Sequence, residues 1–206
     1  MEDVLEVYHR PYDPAYPVVC MDESNKQLVV DIVQPIPCAP GKPKRIDYEH
    51  IRKGVAGIFI ATEPLTGTVA SRITETRTRK DWAGFIKYLL EHRYPDAQKI
   101  VLVMDNLNTH GIASFYATYS PEEALRLSNR LEIHYTPKHG SWLNIAEIEL
   151  SALSVQCLDR RFEDIAELAT EVAAWEEQRN ARRRPVKWQF KTAEARIKLK
   201  SIYPQI

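Results

Sequence analysis

The fold is decided by one stretch, Ile100-Val101-Leu102-Val103-Met104-Asp105. Five consecutive apolar residues predict a strand that is covered on both faces, as parallel strands of α/β proteins are. The acid that follows points to a functional site, because sites in α/β sheets form where strands finish and loops begin. An Asp in this place is more often a turn residue or a helix N-cap, so Asp105 alone does not decide the function.

Before this strand, short apolar runs with brief links predict an antiparallel meander. The first run ends in an acid, Asp22, and a proline-rich loop separates the second run from the third. The sequence predicts three or four strands here, at 17–22, 27–33 and 55–62 and, after a turn at 63–67, through Ile73.

After this strand, helical spacing alternates with one further short strand. The predicted elements around it are a helix at 81–92, a helical stretch at 112–129 broken near Ser120-Pro121, a strand at 131–135, and helices at 142–158 and 163–180. A meander that continues into parallel strands through crossovers makes a mixed sheet with helices on both sides. We therefore predict an α/β protein with a ribonuclease H-like mixed five-stranded sheet flanked by helices.

Three segments are expected along the chain. Residues 1–17 are broken by prolines and read as a lead-in without a core element, residues 18–180 form the ribonuclease H-like domain, and residues 181–206 form a basic tail. From Gln178 onward nine residues are basic and only Glu194 is acidic, which fits either a grip on a phosphate backbone or a solvated charged face.

The composition narrows the class of protein. A chain of 206 residues with no net charge fits one α/β domain. No apolar run approaches the ~20 residues that span a bilayer, and no signal peptide is recognisable, so we expect no membrane association and a cytoplasmic protein. Three scattered cysteines argue against a disulfide scaffold and against structural zinc.

Three acids, Asp22, Asp105 and Glu147, are the candidate catalytic residues and metal ligands. Brought together, three carboxylates repel each other unless a cation lies among them, and hard oxygen ligands suit Mg²⁺ or Mn²⁺. Glu149 is the rival for the third acid, but it lies about 200° round the helix from Glu147. Glu23 alternates to the other face of its strand and is not expected to bind metal.

The flanks of these acids carry a family resemblance. Residues 101–110, Val-Leu-Val-Met-Asp-Asn-Leu-Asn-Thr-His, and residues 135–147, Tyr-Thr-Pro-Lys-His-Gly-Ser-Trp-Leu-Asn-Ile-Ala-Glu, resemble the second-acid and third-acid motifs of bacterial insertion-sequence transposases of the mariner superfamily. Residues 18–23 are similar to the first-acid strand, and 188–200 resemble the family's ending. The gap of 42 positions between Asp105 and Glu147 is longer than in many relatives, and a surface insertion at 112–129 accounts for it.

The resemblance implies a DDE endonuclease domain that cleaves phosphodiesters at transposon ends and transfers the strand into target DNA. It implies two Mg²⁺ or Mn²⁺ ions, with Asp22 bridging them and the other two acids each binding one. Its expected partners are DNA and a second copy, in the bacterial cytoplasm and at the nucleoid when bound. The end-reading helix-turn-helix region of such proteins is absent from this chain, which suggests a separate catalytic subunit, a truncated product or an excised domain.

Several polar and aromatic residues are candidates for DNA contact. Asn106, Asn108 and His110 either orient Asp105 or contact the scissile phosphate, unless Asn108 or Thr109 caps the next helix. Trp142 either stacks on an exposed base or, as is more common at a helix start, belongs to the core. The remaining candidates are Lys138, His139, Arg182, Arg183 and Arg184.

Two other functions fit the same residues. A ribonuclease H-like nuclease without strand transfer needs the same acids. A truncated or domesticated transposase that acts as a non-catalytic DNA-binding or regulatory protein fits the missing end-reading region, although the intact acids argue against it.

Overall fold

The computed structural model describes residues 1–108, 110–138 and 140–200. These residues form seven α-helices and five strands. They are α1 Glu2–Tyr8, β1 Val18–Asp31, β2 His50–Glu63, β3 Thr68–Thr74, α2 Arg79–Tyr88, β4 Ile100–Met104, α3 Ile112–Tyr116, α4 Pro121–Ser128, β5 Leu131–Tyr135, α5 Ala146–Gln156, α6 Ile165–Arg182 and α7 Thr192–Lys198. A π-helical turn, Leu89–Arg93, follows α2, and a short 3₁₀ turn, Ser141–Leu143, precedes α5.

The five strands form one mixed sheet in the order β3-β2-β1-β4-β5. The pairs β1–β2 and β2–β3 are antiparallel, whereas β1–β4 and β4–β5 are parallel. This confirms the predicted mixed five-stranded sheet. The strand that carries Asp22 and the strand that ends before Asp105 are neighbours in this sheet.

Both faces of the sheet are covered, as the apolar run of β4 predicts. Val101 and Val103 pack into one core with α1, α5 and α6, while Ile100, Leu102 and Met104 pack into a second core with α2, α3 and α4. All five residues of β4 are 0% exposed. The strand is therefore a rigid support for the acid that follows it.

Asp22 does not end a strand, contrary to prediction. The expected strands 17–22 and 27–33 are one strand, β1, and Asp22 is its fifth residue, opposite Ile60 of β2. The polar residues after Asp22 interrupt the hydrophobic pattern, but their backbones continue to pair with the apolar strand β2. β2 itself begins at His50, five residues before the expected start.

The prediction that residues 1–17 contribute no core element is wrong. Helix α1 buries Val4, Leu5, Val7 and Tyr8 in the core that it shares with α5 and α6. All three prolines of this segment follow α1, so they do not interrupt the helix. Among the described residues, no helix has both the length and the apolar composition needed to cross a bilayer.

The remaining helices follow the predictions closely. The stretch at 112–129 is two helices that separate before Pro121, and α6 covers the last predicted helix. The helix predicted from Trp142 starts later, at Ala146, after the 3₁₀ turn. Residues of the expected tail are also ordered, because α7 packs against α1 and Arg196 forms an ion pair with Glu2.

Candidate metal centre

Asp22 and Asp105 lie side by side at the edge of the sheet where β4 ends. The parallel register pairs Cys20 with Val103, so two residues further along both strands Asp22 is level with Asp105. Because β1 continues past this point, Asp22 projects from a paired strand, whereas Asp105 begins an irregular segment.

Glu147 reaches the same edge on the first turn of α5, which packs against β1 and β2. Asn144 connects the start of this helix to the sheet, because its Nδ2 donates a hydrogen bond to the carbonyl oxygen of Met21 at 2.9 Å. Its Oδ1 accepts from the backbone N–H of Ala146 at 3.2 Å. The helix start that carries Glu147 is thereby joined to the residue that precedes Asp22.

The charges of these acids act on one another. Burial raises the pKa of Asp22 to about 6, and the negative charges of Glu23, Asp105 and Glu147 add to the rise. The hydrogen bond that the backbone N–H of Glu23 donates to Asp22 Oδ1, at 2.8 Å, acts in the opposite direction. The three predicted acids are therefore close enough to repel, which is the condition that favours a cation among them.

His110 is buried and lies between two acids. Its Nδ1 donates a hydrogen bond to Asp105 Oδ1 at 2.6 Å. Its Nε2 is 3.1 Å from Glu23 Oε2, an ion-pair contact that lacks the alignment of a hydrogen bond. Burial alone would lower the pKa of His110, but its contacts with Asp105 and Glu23 raise it to about 9, so the imidazole is a cation at neutral pH.

One group of possible ligands is more compact than the predicted triad. Among the described residues, only Glu23, Asp105 and His110 have ligand atoms that all lie within 4.8 Å of one another. Asp22, Asp105 and Glu147 do not close to that spacing.

The comparison with known proteins decides the family. Residues 17–169 match the family described as DDE superfamily endonuclease. The chain belongs to this family. No curated protein matches its sequence.

This DDE endonuclease chain also resembles solved structures. The Mos1 mariner paired end complex with Mn is 17% identical, with a TM-score of 0.57 over 88% of this chain and 55% of that one. The Mos1 Strand Transfer Complex is 15% identical, with a TM-score of 0.56 over 85% and 51%. The likeness confirms the ribonuclease H-like fold, and this chain spans about half the length of the chains it resembles.

The predicted DNA-binding residues divide by exposure. Asn106, Asn108 and Lys138 are exposed, and each lies close in the sequence to one of the acids. Helix α3 begins after Gly111, so Asn108 does not cap it. His110 is buried against Asp105, which favours the orienting role over phosphate contact. His139 and Thr109 lie outside the described residues.

Trp142 is not a core residue, although a tryptophan at the start of a helix more often lies in the core. Its side chain is 45% exposed. It stacks instead on Trp188, with ring centroids 6.3 Å apart, and meets Phe190 at 6.1 Å. The C-terminal segment supplies these partners, so the sequence around Trp142 does not reveal them.

The three arginines at 182–184 are exposed, and the chain that follows them lies against the β2–β3 turn. The backbone of Arg184 crosses the β2–β3 turn so closely that a Cβ on Gly67 would lie 2.5 Å from it. Val186 also donates a backbone hydrogen bond to Pro64 at 2.7 Å. The turn follows Glu63, three residues beyond the partner of Asp22, which is about 10 Å along the strand. These arginines are not brought to the acids.

Two residues of this region were missed from the sequence. Glu23 was expected only to face away from Asp22, yet it meets His110 on that opposite face. Arg179 was grouped with the basic tail, yet it holds both oxygens of buried Glu149, at 2.7 and 2.8 Å. Neither pairing has a local signal, because the partners lie far apart in the sequence.

Proposed function

We propose that this chain is the catalytic domain of a transposase. It cuts phosphodiester bonds at transposon ends and joins the freed 3′-hydroxyl to target DNA. The observation that carries the proposal is the approach of Asp22, Asp105 and Glu147, from two strands and a helix, at one edge of the sheet. Family membership and the likeness to solved structures, which include the Mos1 transposase paired-end complex with left transposon end, support it.

The donor set fits two Mg²⁺ or Mn²⁺ ions. Asp22, on which both other acids act electrostatically, would be shared by the two ions, while Asp105 and Glu147 would each bind one. When bound, such ions activate the attacking oxygen and stabilise the leaving oxygen of an in-line displacement at phosphorus. Two of the similar Mos1 structures are paired end complexes with Mn and with Mg, and carboxylate oxygens suit both ions.

Glu149 is disfavoured as the third ligand by its contacts. Its side chain is 5% exposed and forms a two-point ion pair with Arg179 of α6. Binding a metal would break this buried pair and leave the Arg179 charge without its partner. Glu147, on the opposite side of α5, keeps its carboxylate for the metal.

DNA is the proposed substrate, and exposed residues near the acids are the proposed contacts. Asn106, Asn108, Lys138 and Trp142 are placed in this role, with Arg182–Arg184 gripping the backbone further away. His110 is left out of this set because it is buried. The proposal includes a homodimer and a bacterial, cytoplasmic protein that is nucleoid-associated when bound.

The test is metal-dependent nicking of supercoiled plasmid by the full chain. With Mn²⁺ or Mg²⁺ the wild-type chain should nick the plasmid, and chelation should stop it. Asp22→Asn should nearly abolish nicking, while Glu177→Gln, which removes an exposed acid of α6, should not change it. No nicking by the folded wild-type chain would favour the non-catalytic DNA-binding protein.

Strand transfer is tested separately. Labelled duplexes with free 3′-hydroxyls and randomised ends are incubated with plasmid and Mn²⁺. Joined products support the transposase, and sequencing the joined ends identifies the preferred terminus. Nicking without joined products would favour the nuclease without strand transfer.

A further inference from the structure

Asp105 needs support that its own strand does not provide. It lies just beyond the end of β4, in an irregular segment, and its side chain is 38% exposed. A carboxylate in such a place can rotate among several rotamers, and binding a metal would then have to fix it. Asp22, by contrast, projects from the middle of a paired strand.

We propose that Glu23 and His110 form a buried pair that positions the Asp105 carboxylate for metal binding, an inference that rests on the proposed function. His110 Nδ1 holds Asp105 Oδ1 at 2.6 Å, so Oδ2 is the oxygen assigned to the metal. Glu23 holds the opposite nitrogen of the same ring at 3.1 Å. Both are positioning residues, and neither touches the metal.

The surroundings of the pair make it rigid. The side chains of His110 and Glu23 are 1% and 2% exposed. The imidazole stacks on the buried ring of Trp82, with centroids 6.0 Å apart and planes 21° from parallel. Arg77 Nη1 lies 3.8 Å from Glu23 Oε1, so a second cation faces this carboxylate. The His110 ring packs on Trp82 with one face and contacts a carboxylate at each nitrogen, so it presents Nδ1 to Asp105 in a single orientation.

The same three residues fit a positioning network better than a separate metal site. Two oxygen or nitrogen ligands that each lie about 2.0–2.1 Å from an ion are about 3 Å apart at an octahedral angle. His110 Nδ1 and Asp105 Oδ1 are only 2.6 Å apart, which is a charge-assisted hydrogen bond. An outer partner that fixes a metal ligand is a common device, and its loss typically weakens metal affinity about 10–100-fold.

The test is Mn²⁺ affinity of the full chain without DNA, measured by the electron paramagnetic resonance of free Mn²⁺. His110→Gln keeps a donor near the position of Nε2, toward Glu23, and loses the contact with Asp105. His110→Asn keeps a donor near the position of Nδ1, toward Asp105. We expect His110→Gln to weaken Mn²⁺ binding about 10–100-fold and His110→Asn to restore most of the affinity.

Electrostatics alone does not predict weaker binding. The neutral amide of either variant replaces an imidazole whose charge is zero or positive, so the site becomes no less negative and a general charge effect would not weaken Mn²⁺ binding. Weaker binding in His110→Gln is therefore a signature of lost positioning. Glu23→Gln, which keeps the side-chain size, should also weaken binding, but the loss of its negative charge acts in the same direction, so the comparison of His110→Gln with His110→Asn decides the matter.

A matched control is available at His134. This imidazole also lies between two carboxylates, with Nδ1 2.7 Å from Asp3 and Nε2 2.9 Å from Glu132, and neither is a proposed ligand. His134→Asn should bind Mn²⁺ as the wild type does. Thermal unfolding of each variant checks that it is folded.

The outcomes separate the two proposals. If the wild type binds Mn²⁺ and Asp105→Asn does not, but His110→Gln and Glu23→Gln bind as the wild type does, the positioning role is overturned and the metal centre stands. Equal loss in His110→Gln, His110→Asn and His134→Asn also overturns the positioning role. If the folded wild type does not bind Mn²⁺, the proposed metal centre fails and the positioning role fails with it.

Discussion

Asp105 and Glu147 flank Asp22 and carry the same charge, but the protein positions them in different ways. Asp105 follows a strand and is held at its carboxylate by His110. Glu147 is carried by a helix whose start is joined to β1 by Asn144 and whose far side is joined to α6 by Glu149 and Arg179. One acid is fixed through its side chain and the other through its backbone.

The difference predicts what each acid tolerates. A change near Asp105 can misplace its carboxylate while the fold remains, because the contact is between side chains. A change around Glu147 acts on the docking of a whole helix, so it should appear first as a loss of stability. Substitutions on the two sides should therefore separate metal affinity from folding free energy.

The largest effect is expected on plasmid nicking, when either Asp105 or Glu147 loses its carboxylate. Asp105→Asn and Glu147→Gln should each lower metal-dependent plasmid nicking by roughly 10³-fold or more, because a lost ligand removes several kcal/mol of transition-state stabilisation. Initial nicking rates at saturating Mn²⁺ measure this, with Glu177→Gln as the exposed control. Substantial metal-dependent nicking by Asp105→Asn would contradict its assignment as a ligand.

The next effect tests the backbone route to Glu147. Glu149→Gln leaves the charge of Arg179 buried without its carboxylate, and the free energy of unfolding should fall by about 3–5 kcal/mol. The side chains of this pair are 5% and 12% exposed. The double change Glu149→Leu with Arg179→Met should recover most of that loss. Urea unfolding measures each variant.

An exposed pair provides the comparison for this result. Arg160 and Glu171 are 2.9 Å apart, with side chains 44% and 45% exposed. Glu171→Gln should cost only about 0–1 kcal/mol, because water screens such pairs. Equal losses in Glu149→Gln and Glu171→Gln would show that the buried pair does not hold α5.

A smaller loss is expected at the junction of α5 with the sheet. Asn144→Ala removes a buried side chain that bonds to Met21 and Ala146, which leaves a buried carbonyl oxygen without this donor. We expect the free energy of unfolding to fall by about 1–3 kcal/mol. Asn129→Ala, at an exposed position after α4, should change it by less than about 0.5 kcal/mol. A loss no greater than that of Asn129→Ala would argue against the junction.

The smallest effect is the dependence of stability on pH at Asp22. Its pKa of about 6 in the folded protein is above the ordinary 3.8, so the folded state favours the protonated acid. Its favourable contribution is present below about pH 4 and is lost as the pH rises through 6. Without metal, Asp22→Asn should therefore gain about 2–4 °C in Tm over the wild type at pH 8.

The gain should shrink as the pH falls. Asn keeps an oxygen that can accept the N–H of Glu23 but does not ionise, so the two proteins should become similar near pH 4. Calorimetric scans of the metal-free proteins from pH 4 to 8 measure the difference. A gain that is the same at every pH would show that repulsion among the acids is not its source.

Much of this protein follows from its sequence. The uninterrupted apolar run before Asp105 predicts a strand buried on both faces, and its order among the other elements predicts the mixed sheet. The apolar spacing after Trp142 predicts a helix that carries Glu147, and helix geometry sets Glu149, two residues on, apart from Glu147. These features are visible because periodicity and spacing along the chain encode them.

The tertiary structure decided the rest. Asp22 became an interior strand residue because the apolar strand β2 continues to pair beside a polar segment of β1. Helix α1 packs in the core and Trp142 lies outside it, contrary to expectation, because their partners come from distant parts of the chain. Glu23 meets His110 87 positions later in the sequence for the same reason. A contact between residues that far apart is set by how the elements pack, and a pattern within one segment does not contain it.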